Sequence, residues 1–168
     1  MKPFLLQMAG MPGSGKSTLA QRIASETGAV LLDKDIIQSA ALRAGAEKES
    51  AGGLAYEVLF DIAADLASYG HSLIVDSAAF FPLIITKGTC IANDNSLAYK
   101  VIECMCPRDL LPNRLASRQS RSSQWRALLD VDMEARPGAE PLSHPHLSVD
   151  TTRPIEEILT EALEYIGR

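Results

Sequence analysis

A chain of 168 residues is the size of one ordinary domain, and its 46% hydrophobic and 22% charged content set aside the disordered and fibrous classes. A net charge of −5 argues against a broadly basic face for a nucleic-acid backbone. The longest apolar stretches, Phe80 to Ile85 and Leu73 to Val75, fall far short of the roughly 20 residues of a membrane span, and no signal peptide is read after Met1. Cys90, Cys104 and Cys106 form no CxxC pair, so they read as reduced thiols of a cytoplasmic protein, with Cys104 and Cys106 on one face of a strand.

Phe4 to Ala9 is a short, nearly continuous apolar run ending in glycine, as expected of a strand buried on both faces of a parallel sheet. Lys16 to Thr27 follows as a helix, with Leu19, Ala20, Ile23 and Ala24 on one side and Gly28 placed to end it. Val30 to Leu32 is a second strand, closing a strand–loop–helix–strand unit of crossover length. Helices are predicted over Asp35 to Arg43 and Leu54 to Ser68, with Gly45 to Gly53 between them as a loose stretch lacking periodicity. Ser72 to Asp76 is a third strand, Phe81 to Ala92 a helix, Tyr99 to Cys106 a fourth strand and Leu110 to Ser120 another helix. A loop is expected over Ala135 to Pro145, and His146 to Val149 is the last strand. Ile155, Ile158, Leu159, Ala162, Leu163 and Ile166 repeat at the helical period after Pro154 and before Gly167. Alternating strands and helices predict an α/β, three-layer fold, its parallel five-stranded sheet covered by helices on both faces.

The motif that carries chemistry is Gly10-Met11-Pro12-Gly13-Ser14-Gly15-Lys16-Ser17, a match to G-x-x-x-x-G-K-[ST] between a predicted strand and a predicted helix. Glycines there let backbone N–H groups turn inward around phosphate oxygens at a helix N-terminus. Lys16 is placed to reach the β- and γ-phosphates of a nucleoside triphosphate, most simply ATP, and the Ser17 hydroxyl to coordinate Mg²⁺. In a doubly wound sheet ligands sit outside the carboxyl ends of the strands, so Asp33, Asp35 and Asp76 should open onto this loop. Asp76, directly after a hydrophobic strand, is the candidate metal carboxylate; the competing reading is a strand-end turn residue. For Asp35 the competing reading is a helix N-cap, since Ile36 and Ile37 begin an apolar pattern behind it. Arg114, Arg118 and Arg121 are spaced to project from one helical face, in a segment that also holds Arg108 and Arg126.

Gly10 to Ala20, followed by Leu31-Leu32-Asp33-Lys34-Asp35, resembles the P-loop kinases that phosphorylate small molecules or polynucleotide 5′ ends. This group includes shikimate and gluconate kinases, chloramphenicol phosphotransferase, zeta toxins and the bacteriophage polynucleotide kinase. The resemblance runs along nearly the whole chain and implies the P-loop NTPase fold over 1–168, with a lid at about 114–136. It implies that Asp35 accepts the proton of the substrate hydroxyl, and that lid arginines, here Arg118 and Arg121 with Arg114 beside them, clamp the transferring phosphate. It also places an adenine-contacting loop at Asp150 to Pro154, which includes Thr152. The implied nucleotide site comprises Gly10, Gly13, Ser14, Gly15, Lys16, Ser17, Thr18, Arg114 and Thr152. Which of Asp33, Asp35 and Asp76 is the base stays open.

The activity implied is transfer of the γ-phosphoryl group of Mg·ATP to a hydroxyl of a small molecule. Two alternatives are a 5′-hydroxyl polynucleotide or nucleotide kinase and a nucleotide-dependent switch or accessory ATPase. The first is disfavoured because Gln38 stands where the polynucleotide kinase pattern has arginine, and because Lys48 is flanked by Glu47 and Glu49. Trp125, His144 and His146 read as packing and loop residues.

Overall fold

The structure is a computed structural model that describes residues 2–116 and 141–168. Five strands, β1 (Phe4–Ala9), β2 (Val30–Asp33), β3 (Leu73–Asp76), β4 (Ala98–Met105) and β5 (Leu147–Asp150), form one sheet in the order β2-β3-β1-β4-β5. Every pairing is parallel. Six helices are described: α1 (Lys16–Thr27), α2 (Lys34–Arg43), α3 (Lys48–Ser68), α4 (Pro82–Asp94), α5 (Leu111–Ala116) and α6 (Ile155–Ile166).

Alternation along β1 explains the two cores. Phe4, Leu6 and Met8 face one side, where they join Leu19 and Ile23 of α1 and Ile158, Leu159, Ala162 and Ile166 of α6. Leu5 and Ala9 face the other, with Leu59, Phe60 and Ala63 of α3 and Ile84 and Ala92 of α4. A central strand sandwiched this way must be apolar on both faces, and all six β1 residues are buried. The single polar member, Gln7, donates from Nε2 to Ser77 Oγ at 3.0 Å and to Met8 O at 2.7 Å, tying β1 to the segment after β3.

Helix ends follow local chemistry. Gly28 closes α1 in the left-handed conformation (φ 72°), returning its N–H to Ala24 O. Asp33 caps α2, its carboxylate accepting from the N–H groups of Asp35 and Ile36. The cap is therefore Asp33, two positions earlier than the Asp35 cap weighed from the sequence, and Asp35 lies inside the first turn.

Helix α3 corrects one expectation. Only Gly45 to Glu47 of the supposed loose stretch is non-helical; Lys48 to Gly53 is the start of a 21-residue helix. Ala51, Ala55, Leu59, Ala63 and Ala67 are buried at a four-residue spacing, so a stripe of small side chains packs the helix down. β4 ends at Met105, which leaves Cys104 buried in the strand and Cys106 half-buried beyond it. The predicted helix at Leu110 to Ser120 is described through Ala116 as α5, after a short 3₁₀ turn at Arg108–Leu110. No described helix is long and apolar enough to cross a membrane.

Candidate nucleotide and acceptor site

The carboxyl ends of β1, β2 and β3 converge on one cavity of about 550 Å³. Its lining includes Lys16 and Ser17 from the start of α1, Asp33, Lys34, Asp35 and Gln38 around the start of α2, and Asp76 at the end of β3. Parallel register accounts for part of this meeting, since Asp33 and Asp76 are paired positions on neighbouring strands. All three aspartates expected to open onto the loop line the cavity.

The loop from β1 to α1 holds three glycines in the left-handed region: Gly10 (φ 122°), Gly13 (φ 82°) and Gly15 (φ 95°). Repeated left-handed residues are the backbone pattern from which anion-binding nests are built, and Gly15 opens α1 at its positive end. Space also demands glycine at the first of these, because a Cβ on Gly10 would lie 2.4 Å from Cys104 O. The Lys16 ammonium donates to Gly10 O at 2.9 Å and Met11 O at 2.8 Å, folding the side chain over the loop. Ser14 Oγ is buried and has no hydrogen-bond partner among the described residues, a polar atom inside the loop that a bound phosphate group would satisfy.

Ser17 donates its hydroxyl to the Asp76 carboxylate. Burial pushes the Asp76 carboxyl above its usual value, and the Ser17 hydrogen bond and the Lys16 charge only partly offset this. Asp33 and Asp35 add a smaller upward push through like charge. A hydroxyl and a carboxylate make an all-oxygen donor set. That suits Mg²⁺, which takes few protein ligands and fills its remaining positions with phosphate oxygens and water. No cluster of three His, Cys, Asp or Glu suited to a metal exists among the described residues.

The remaining predicted residues divide. Arg114, on α5, presents a fork to one residue, with Nη1 donating to Thr151 Oγ1 and Nη2 to Thr151 O, both at 2.9 Å. Thr152 is held in the turn after β5, its N–H and hydroxyl both donating to Asp150 Oδ1. Its neighbour Thr151, not singled out from the sequence, is the one that abuts the phosphate loop, 3.3 Å from where a Gly15 Cβ would stand. Thr18 is exposed on the first turn of α1. Arg118, Arg121, Arg126 and Trp125 lie outside the described residues. His146 pairs with Glu103 at 3.3 Å and the His144 ring meets Tyr99 edge-on, so both histidines are occupied in packing. The Cys104 thiol is pushed up to about 12 by burial and stays protonated.

Sequence reasoning missed the cavity's far wall: Gly52, Gly53, Tyr56, Phe80, Phe81 and Lys87. The signal that was present is the glycine pair, which marks an unusual place within what proved to be a helix.

With this geometry in hand, the comparisons with known proteins are direct. Residues 5–136 match the AAA domain family, and the chain belongs to it. An uncharacterized protein of Mycobacterium tuberculosis strain H37Rv is 25% identical over 170 aligned positions that cover 94% of this chain and 34% of the relative. A second uncharacterized protein, from Mycobacterium bovis, matches equally. The chain spans about a third of the length of these curated relatives.

Among solved structures, a provisionally named kinase from Chloroflexus aurantiacus superposes with a TM-score of 0.77 at 23% identity, covering 98% of this chain and 99% of that one. An APS kinase of Mycobacterium tuberculosis in complex with AMPPNP and APS gives 0.72 at 19% identity, covering 99% of each chain. A gluconokinase from Sinorhizobium meliloti gives 0.68 at 20% identity, covering 99% of this chain and 93% of that one. The fold is that of P-loop kinases.

Proposed function

We propose that this chain is an ATP-dependent phosphotransferase that moves the γ-phosphoryl group to a hydroxyl of a small molecule. The observation that supports this reading is the placement of Lys16, Ser17, Asp35 and Asp76 along one cavity that also has room for an acceptor. The shared fold with kinases, one of them holding AMPPNP, agrees with it.

In this reading the loop amides, the Ser14 hydroxyl and Lys16 bind the phosphates, and Ser17 and Asp76 hold Mg²⁺, which supplies neutralising charge when bound. Asp33 caps α2 and Asp76 accepts from Ser17, and the task of aligning the acceptor hydroxyl is assigned to Asp35, which lines the cavity with the Lys34 ammonium 3.4 Å away. The acceptor oxygen bonds to the γ-phosphorus as the bond from that phosphorus to the β–γ bridging oxygen breaks. The hydroxyl proton passes to the Asp35 carboxylate, and ADP leaves with the electron pair. Arg114 braces the β5–α6 turn against the phosphate loop, and Arg118 and Arg121 complete the clamp.

Among the described residues the cavity wall mixes Lys34, Lys48 and Lys87 with Glu49 and Glu57, a lining that offers no basic track for a polynucleotide. The test is transfer of label from γ-labelled ATP to a panel of hydroxyl compounds, together with calorimetric titration of Mg·ATP. Lys16→Ala is expected to abolish transfer and weaken ATP binding at least tenfold while leaving the circular dichroism spectrum unchanged. Undiminished turnover in that variant overturns the phosphate-loop assignment.

A further inference from the structure

Helix α3 carries Gly52 and Gly53 in succession, each disfavoured in a helix by about 1 kcal/mol relative to alanine. Nothing in the packing of the described residues asks for them. Among the described residues a Cβ on Gly53 would meet no heavy atom within 4 Å, and one on Gly52 would have only Gln38 Nε2, at 3.7 Å, within that radius. Neither residue has a positive φ, so no turn requires glycine either. Both residues line the cavity, and their missing side chains leave bare helix backbone along it.

Aromatic side chains stand next to this bare stretch, with Lys48 and Glu49 at the start of the helix. Tyr56 lies one helical turn beyond Gly52, is fixed by donating its hydroxyl to Ala78 O at 3.3 Å, and stacks 6.4 Å from Phe60 at an interplanar angle of 18°. Phe80 and Phe81 line the cavity from the segment after β3, and Leu83 does so while 62% exposed. The two lysines beside the rings are engaged. Lys87 pairs with Glu57 at 2.6 Å and sits over the Phe60 ring, while Lys34 pairs with Asp35 at 3.4 Å and sits over Tyr56. A polyol needs hydrogen-bond partners around its rim, whereas a flat apolar body needs area and a bare surface to lie on.

We infer that the phosphate acceptor is an alcohol with a flat, apolar, ring-bearing body, seated against the Gly52–Gly53 backbone and the side chains of Tyr56, Phe80 and Phe81, its hydroxyl toward Asp35. The inference rests on the phosphotransferase reading and specifies its substrate class. Gly53 is then a specificity residue: it keeps open the volume the ring fills.

The test uses the full chain with AMPPNP and Mg²⁺ and two sets of probes, aryl alcohols (4-nitrobenzyl alcohol and 2-phenylethanol) and polyols (sorbitol and gluconate). Binding is read by ligand-observed NMR and transfer by label from ATP. The wild type is expected to bind the aryl alcohols and not the polyols, and to phosphorylate an aryl alcohol with the lower KM. Gly53→Leu is expected to weaken aryl-alcohol binding about tenfold or more while AMPPNP affinity holds and the melting temperature does not fall. Gly53→Ala should show a smaller change in the same direction.

Binding of polyols in preference, no aryl-alcohol binding at all, or aryl-alcohol binding unaffected by Gly53→Leu each overturns the inference. Failure to bind AMPPNP sinks the underlying phosphotransferase reading instead, so the two failures are distinguishable.

Discussion

The Asp33 carboxylate accepts the backbone N–H of Asp35 at 2.8 Å, which separates two aspartates that stand two positions apart in the same cavity. One is an architectural group that begins a helix; the other rides on the helix so begun. Asp33→Ala should therefore cost about 1 kcal/mol of stability, the usual loss for a removed N-cap, measured as a shift in the urea midpoint. Asp35→Asn should stay within about 0.5 kcal/mol of wild type and spare ATP affinity. It should also slow phosphoryl transfer by about 10² or more. The opposite pattern, with Asp35→Asn unfolding the protein and Asp33→Ala only inactivating it, would exchange the two roles.

Asp76 carries a pH signature. Its carboxyl is raised in the folded state, chiefly by burial, from an ordinary value of 3.8. Below that value both folded and unfolded chains hold the proton and the burial penalty is absent. As pH climbs through the raised folded value the native state must ionise a buried group, so stability falls and the loss is complete above it. Asp76→Asn removes the titration and keeps an acceptor for the Ser17 hydroxyl. In EDTA the variant should melt higher than wild type at pH 7, and the gap should shrink as pH falls toward 3.8. Mg-dependent turnover should fall at the same time. A gap independent of pH would remove burial of the charge as its cause.

Gly10 tests the loop itself. Its φ of 122° and the 2.4 Å approach of a Cβ to Cys104 O leave an alanine no conformation without moving β4 or the loop. Gly10→Ala is expected to destabilise the protein by roughly 3 kcal/mol, combining backbone strain with overpacking. Gly28, at a smaller positive φ of 72° and with no described atom near its Cβ position, gives the cost of a left-handed alanine without a clash, and Gly28→Ala should cost about 1 kcal/mol. Equal losses at the two sites would deny the clash with the Cys104 carbonyl.

Much of the fold was legible because short-range chemistry marks it. Gly10 to Ser17 announces the phosphate loop, Gly28 and Gly167 end helices, and the unbroken apolar run at β1 requires a two-faced core. Sheet order depends on which strands pair far along the chain, and parallel alternation alone left it open. The start of α3 was hidden because Gly45, Gly52 and Gly53 read as punctuation, while the buried spacing of Ala51 and Ala55 is too weakly hydrophobic to outweigh them. The same glycines concealed the far wall of the cavity: a residue without a side chain leaves no chemical motif to find. Asp33 and Asp35 could not be told apart in sequence, because which of them caps depends on a two-residue difference in where the helix begins.

Arg114 supplies the last prediction, and its structure bears on how the loop after β5 serves the nucleotide site. The guanidinium fork grips the hydroxyl and carbonyl of Thr151, and Thr151 in turn donates from both N–H and hydroxyl to Met105 O at 3.0 Å. α5, β4 and the β5–α6 turn are thereby locked behind Gly15. A lysine keeps the charge but cannot form the fork, so Arg114→Lys should lose about 1 to 2 kcal/mol of stability. Thr151→Val removes the hydroxyl from the same network, and the double variant should fall short of the summed losses by about 0.5 kcal/mol or more, a coupling read from urea denaturation. Additive losses would mean that the fork is not the bond holding this turn. An Arg114→Lys variant of unchanged stability but collapsed ATP affinity would assign the guanidinium to phosphate directly.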